Sequence, residues 1–235
     1  MGSSLFVSDS DRPHEILRRL RETVPIRDED FASSRVAKET RDPFRVLVVT
    51  ILSQNCTDIA ALRAYDRLDK RVGVTVAQLR KARVRTIENA ISVAGLHKQK
   101  ARALRRLSMI IAEEYSGSFI SMLKGPFNEV RDRLQELPNV GPKTADVLLS
   151  ILGRPTISVD THVDRVSKRL GLAPKKARYE KVRSSLMEAF LGEDYRLVPM
   201  YFMAFGRKIC RARHPLCPIC PIKNLCPYDK KTEPI

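Results

Sequence analysis

The chain has 235 residues, with 43 Lys and Arg against 27 Asp and Glu and a formal net charge of +16. Hydrophobic residues make up 43%, ordinary for a globular chain and too many for a disordered one. No apolar run approaches the roughly 18 residues of a membrane span, and the opening MGSSLFVSDSDRPHE lacks a signal peptide's apolar centre, so neither a membrane protein nor an exported one is expected. A charge of this size points to a polyanion partner, because each phosphate contact releases a condensed counterion. A generally basic or salt-tolerant surface is the alternative that charge alone leaves open. Only nine Gln and Asn beside 30% charged residues lean towards a heat-tolerant source.

Helical periodicity dominates along the chain. Apolar residues recur at three-to-four spacing over 16–20, 46–52, 101–111, 130–137, 147–151, 182–190 and 197–205, the pattern of helices with one buried face. The most apolar stretch, 44–52, has the length of a core helix and holds only Arg45 and Thr50 as polar residues. Pro and Gly punctuate between these segments, and neither an alternating strand nor a repeat at solenoid period is legible. The expectation is an all-α protein of about ten to twelve short helices. From Cys210 onward the periodicity fades and Cys, Pro and basic residues dominate, so something other than an apolar core must hold that segment.

Residues 128–137 read as a helix, PNVGP (138–142) as a tight turn and 143–152 as the next helix, a helix–hairpin–helix of the L-P-x-V-G-x-x-T-A type. Gly141 would permit positive φ and close approach of the main chain, and Pro142 suits the first helical position. The N–H groups at the start of the second helix then face outward as an anion site. Such hairpins grip phosphates without reading sequence, which makes Val140, Gly141 and Thr144 candidate DNA-binding residues. Lys143 lies in the first turn of that helix, where the positive end of the dipole disfavours an ammonium. It is a candidate amine nucleophile, with a simple salt link to phosphate as the alternative. Asp160, in VDTH (159–162), precedes another helix. An Asp there usually caps the helix, but Thr161 with Asp164 three residues on forms a capping box of its own, which would free Asp160 for chemistry.

Four of the five cysteines, Cys210, Cys217, Cys220 and Cys226, fall in a C-x6-C-x2-C-x5-C pattern. A reducing compartment disfavours disulfides, and four thiolates in a short loop take zinc or a 4Fe-4S cluster. The single C-x2-C knuckle leans towards iron–sulfur, since zinc ribbons usually carry two; zinc stays open. Pro follows Cys217, Cys220 and Cys226 and stiffens the loop, while Arg211, Arg213 and His214 make it basic. Cys56 stands apart as a small buried hydrophobe.

The stretches LSQNCTD (52–58), GLHKQKA (95–101), LPNVGPKTADVLL (137–149), VDTHVDRV (159–166) and the cysteine loop (210–226), taken in this order, resemble the endonuclease III family of DNA glycosylases. The resemblance covers nearly the whole chain from about residue 14. It implies two α-helical lobes with a DNA cleft between them, a helical barrel over 36–154 and a discontinuous lobe of 1–35 with 155–235. It also implies a 4Fe-4S cluster rather than zinc. Lys143 matches the family's catalytic lysine and Asp160 its catalytic aspartate. The implied activity is bifunctional: removal of an oxidised pyrimidine such as thymine glycol, then cleavage 3′ to the abasic site through a lysine Schiff base. Leu96 matches the wedge that fills the gap left by a flipped base, an ordinary helix-start hydrophobe being its other reading. Where relatives often carry Gln, this chain has Asn55, with Gln54 just before it, and His97 stands where Tyr is frequent. Either Gln54 or Asn55 could plug the stack, so opposite-base preference is open. Arg211 and Arg213 are further candidate DNA contacts. The expected partner is damaged or abasic double-stranded DNA, met by a monomer in a prokaryotic cytoplasm, on the nucleoid. Two rivals remain. One is a mismatch glycosylase acting on thymine or uracil opposite guanine, whose relatives commonly lack lysine at this position. The other is a non-catalytic iron–sulfur DNA-binding module.

Overall fold

The computed structural model describes residues 11–232; the first ten, and with them most of the segment read for a signal peptide, lie outside that range. The described residues form thirteen α-helices and no strand, an all-α fold as expected, with slightly more helices than the periodicity suggested. No helix is long and apolar enough to cross a membrane among the described residues. The chain divides into two compact units at Ile26/Arg27 and again at Arg154/Pro155. Helix α1 (Arg12–Thr23) precedes the first boundary. Between the boundaries lie α2 (Ala32–Thr40), α3 (Pro43–Leu52), α4 (Asp58–Arg71), α5 (Val76–Lys81), α6 (Val84–Ala90), α7 (His97–Glu114), α8 (Phe119–Met122), α9 (Phe127–Glu136) and α10 (Pro142–Ile151). After the second come α11 (Thr161–Arg169), α12 (Tyr179–Ala189) and α13 (Leu197–Lys208).

In the unit Arg27–Arg154 the centre is α3. Asp42 caps it, its Oδ1 accepting from Phe44 N at 2.8 Å, and Pro43 occupies the first turn, a strong local start signal. Every residue from Val46 to Leu52 is buried, so this helix has no wet face and must be surrounded. Its neighbours are α2, α4, α7, α8 and α10. Ala32 and Val36 of α2 are fully buried in the same core. The whole of α2 therefore belongs to this unit, and the boundary lies before it rather than at residue 36, inside it.

The other unit has a separate core. Ile16, Leu17 and Leu20 of α1 pack with Val163 and Val166 of α11, Val182 and Leu186 of α12, and Val198, Phe202 and Phe205 of α13. Phe190 meets Phe202 edge-on, with ring centroids 5.7 Å apart, the favoured arrangement of two aromatic quadrupoles. Two sequence-distant segments thus share one core.

Candidate active site

Helix α9 ends at Glu136 and α10 begins at Pro142, so the hairpin lies where the sequence placed it. Arg131 of α9 and Asp146 of α10 clamp it with two parallel bonds, Nε to Oδ1 and Nη2 to Oδ2, each 2.9 Å. The carboxylate is fully buried and the guanidinium nearly so, a geometry in which the planar fork matches the carboxylate. Leu137 and Val140 turn into the core. The positive φ expected at Gly141 is instead at Asn139 (φ 61), a residue type that tolerates the left-handed region. Gly141 is extended (φ −92, ψ −179), and a Cβ there would meet nothing within 4 Å. Its contribution is an open outer face, not an unusual backbone angle.

No side chain caps α10, and Pro142 has no N–H to satisfy. The first-turn amides are free for an anion, as the sequence suggested. Lys143 sits in that turn, half-buried, with no ion pair or hydrogen bond among the described residues. Val140 and Thr144 correct the expectation: they are only 3% and 4% exposed. Their side chains serve the fold.

Gln54 and Asn55, equivalent by sequence, are told apart by the structure. Gln54 Nε2 donates to Asn139 O at 2.8 Å and to Thr144 Oγ1 at 3.1 Å, so its amide is engaged inside the protein. Asn55 is exposed in a left-handed conformation (φ 54). Leu96 is likewise left-handed (φ 58) and 53% exposed at the start of α7, so it is not a core hydrophobe. A bulky apolar residue held exposed at positive φ is unfavourable locally and persists only where the surrounding structure holds it there. Cys56 is half-buried against the core, its Sγ donating to Leu52 O at 3.0 Å.

Asp160 is the N-cap of α11 after all. Its Oδ1 accepts from His162 N (2.9 Å) and Val163 N (2.7 Å), and Thr161 is the first helical residue rather than the cap. The capping box read from Thr161 and Asp164 is therefore absent. Capping does not consume the group: Oδ2 lies 3.2 Å from His162 Nδ1, and the side chain keeps 15% exposure. One oxygen caps the helix and the other meets the His162 ring.

The cysteine loop buries one side chain, Ile222, and is held mostly by arginines that sequence reasoning missed. Arg12 of α1 donates to Leu225 O at 3.0 Å and to Leu170 O. From α11, Arg165 donates to Cys210 O (3.2 Å) and Gly206 O (3.0 Å). Arg169 reaches Arg211 O (2.7 Å), Ala212 O (3.0 Å) and Cys210 Sγ (3.4 Å) while covering the Tyr228 ring. All four cysteines line one cavity, walled also by Leu170, Phe205, Ile209 and Ile222, and none is in a disulfide. No three His, Cys, Asp or Glu side chains are arranged for a single metal ion among the described residues. Burial pushes the Cys220 thiol up to about 11 and raises that of Cys226. Such thiols ionise only when a cationic group takes their charge. Arg211 and Arg213 are exposed on the loop.

The profile of the HhH-GPD superfamily of base excision DNA repair proteins matches residues 48–190. The chain is 34% identical over 220 residues to an endonuclease III of Sulfolobus acidocaldarius, across 93% of this chain and 96% of that one. Among solved structures it is similar to a non-covalent endonuclease III–DNA complex, with TM-score 0.77 and 30% identity over 94% of this chain and 96% of that one. It is also similar to a trapped endonuclease III–DNA covalent intermediate, with TM-score 0.73 and 30% identity over 92% and 96%.

Proposed function

The chain belongs to the HhH-GPD superfamily of base excision DNA repair proteins, within the endonuclease III group, and on that premise we propose how its residues divide the work on damaged DNA. It is a DNA glycosylase and abasic-site lyase, and DNA is its partner. The observation that carries the assignment of roles is Lys143, without a partner among the described residues, in the first turn of an uncapped helix that follows an open glycine. The hairpin amides take the phosphate of the strand, and the damaged nucleotide is flipped out of the stack. The Lys143 Nζ attacks the anomeric carbon of the sugar through its lone pair. The bond from Nζ to carbon forms as the glycosidic bond breaks, and the base departs with its electron pair and takes up a proton. Asp160, held rigid by its cap bonds, stabilises positive charge developing on the sugar and passes protons. The bound amine then sheds a proton, and the sugar ring opens as the C1′–O4′ bond breaks and O4′ takes up a proton, leaving an iminium between C1′ and Nζ. The iminium acidifies the adjacent carbon, and loss of that proton expels the 3′ phosphate.

The substrate we assign is an oxidised pyrimidine of the thymine glycol type, in duplex DNA. Asn55 and Leu96, both exposed at positive φ, fill the gap left by the flipped nucleotide, and Arg211 and Arg213 add phosphate contacts. Lys143 favours this bifunctional reading over a purely hydrolytic mismatch glycosylase. Cys210, Cys217, Cys220 and Cys226 would hold a 4Fe-4S cluster. The four sulfurs line one cavity, and four thiolates are the ligand set of such a cluster. When bound, the cluster supplies the iron–sulfur bonds that fix the loop and its basic side chains. The test is a panel of duplexes bearing thymine glycol, uracil opposite guanine, or a preformed abasic site, under single-turnover conditions. Thymine glycol should be removed fastest and the abasic duplex cut. Asp160→Asn should slow base removal by about a hundredfold or more. A chain that removes uracil opposite guanine without cutting the strand would overturn the assignment.

A further inference from the structure

Three segments of the unit Arg27–Arg154 each carry a non-glycine residue at positive φ: Asn55 (φ 54), Leu96 (φ 58) and Asn139 (φ 61). Such conformations persist only where surrounding structure over-determines them, and here the surroundings tie the three segments to one another. Lys100, fully buried, donates from Nζ to Leu52 O at 2.7 Å and Gln54 O at 2.6 Å. Burial lowers its proton affinity. A lysine is therefore kept inside the protein, without a carboxylate partner among its described bonds, to grip the main chain at the end of α3. Gly95 lies so close to this loop that a Cβ would stand 3.0 Å from Asn55 O. Gln99 Nε2 reaches Asn139 Oδ1 at 3.1 Å. The remaining link is Gln54. Its main chain is held by Lys100, and its side-chain amide holds both the hairpin carbonyl of Asn139 and the hydroxyl of Thr144, the neighbour of Lys143.

We propose that Gln54 is a positioning residue that locks the Asn55 loop to the hairpin, so that a hairpin seated on phosphate presents the gap-filling loop at a fixed height. The inference rests on the glycosylase and lyase reading given above. Without this link the loop and the phosphate grip would be tied only indirectly, through Lys100 and Gln99 of α7, and a flipped nucleotide would restack more readily. The consequence is specific to one of the two reactions. Base removal requires a whole nucleotide, with its stacking energy, to be kept out of the duplex. An abasic site has no base to restack, so its extrusion costs little.

The experiment compares two single-turnover rates in each variant: base removal from the duplex that wild type processes fastest, and cleavage of a preformed abasic duplex. In Gln54→Ala, base removal should fall by about tenfold, the scale of two lost hydrogen bonds, while abasic cleavage stays within about twofold. Gln54→Glu keeps the length but cannot donate to Asn139 O and should show the same split. Lys100→Met loosens the same loop from its main-chain side and should shift the ratio in the same direction. Should it fail to fold, the Gln54 variants still decide, because that side chain is only half-buried. If the two rates fall equally, or neither moves, in both Gln54 variants, the proposal is wrong. Wild type acting on neither duplex would instead refute the parent reading, and Lys143→Ala marks the baseline for both steps.

Discussion

The hairpin and the cysteine loop carry the two most recognisable motifs of the chain, yet they are stabilised by different physics. The hairpin stands on a conventional interior: α10 packs against α3, a helix buried from Val46 to Leu52, and its two arms share the buried Arg131–Asp146 pair. The cysteine loop has one buried apolar side chain, Ile222. Its backbone carbonyls are instead collected by Arg12, Arg165 and Arg169, and its sulfurs surround a cavity. The contrast shows that a hairpin can be positioned by apolar burial together with one buried ion pair across its arms. A loop too poor in apolar residues to do this recruits cationic donors, here Arg12, Arg165 and Arg169.

Breaking the loop should give the larger effect. Cys220→Ser removes one of the four sulfurs proposed to hold the cluster and should abolish stoichiometric iron and sulfide. Segment 210–226 should become open to proteolysis and lose protection in hydrogen exchange, while the amides of α10 keep theirs. Loss of protection throughout α10 as well would mean that the two regions are not independently stabilised. The hairpin clamp should give a smaller but sharp effect. Arg131→Met takes the guanidinium away from the buried Asp146 carboxylate and should cost about 3–5 kcal/mol in denaturant unfolding. Pairing it with Asp146→Leu should recover most of that loss, since apolar replacement of both members of a buried pair is often near neutral. A double variant no better than Arg131→Met would show that the other bonds these two residues make matter more than the pair.

The same contrast explains what was legible in the sequence. The hairpin is specified by residues within one short stretch, Pro138, Gly141 and Pro142 between two periodic runs, so its position could be read directly. Its inner details could not. Gly141 looked like the positive-φ residue because glycine is the usual choice, but the turn assigns that angle to Asn139. Val140 and Thr144 belong to the motif yet face inward. Gln54 and Asn55 were indistinguishable because the acceptor that captures Gln54 lies 85 residues away. At Asp160 two good local caps competed, and the helix starts one residue earlier than the Thr161 box requires. Short helices such as α5 and α8 offer too few turns for a periodicity. The arginines that hold the cysteine loop carry no pattern at all: Arg12 reaches Leu225 across 213 residues.

Position 143 is where the account is most exposed. Incubating the protein with a duplex containing an abasic site in the presence of borohydride reduces any Schiff base to a stable amine, and digestion followed by mass spectrometry locates it. The account predicts one protein–DNA adduct carried on Lys143, and none with Lys143→Ala. An adduct on another amine, or equal trapping by Lys143→Ala, would contradict it.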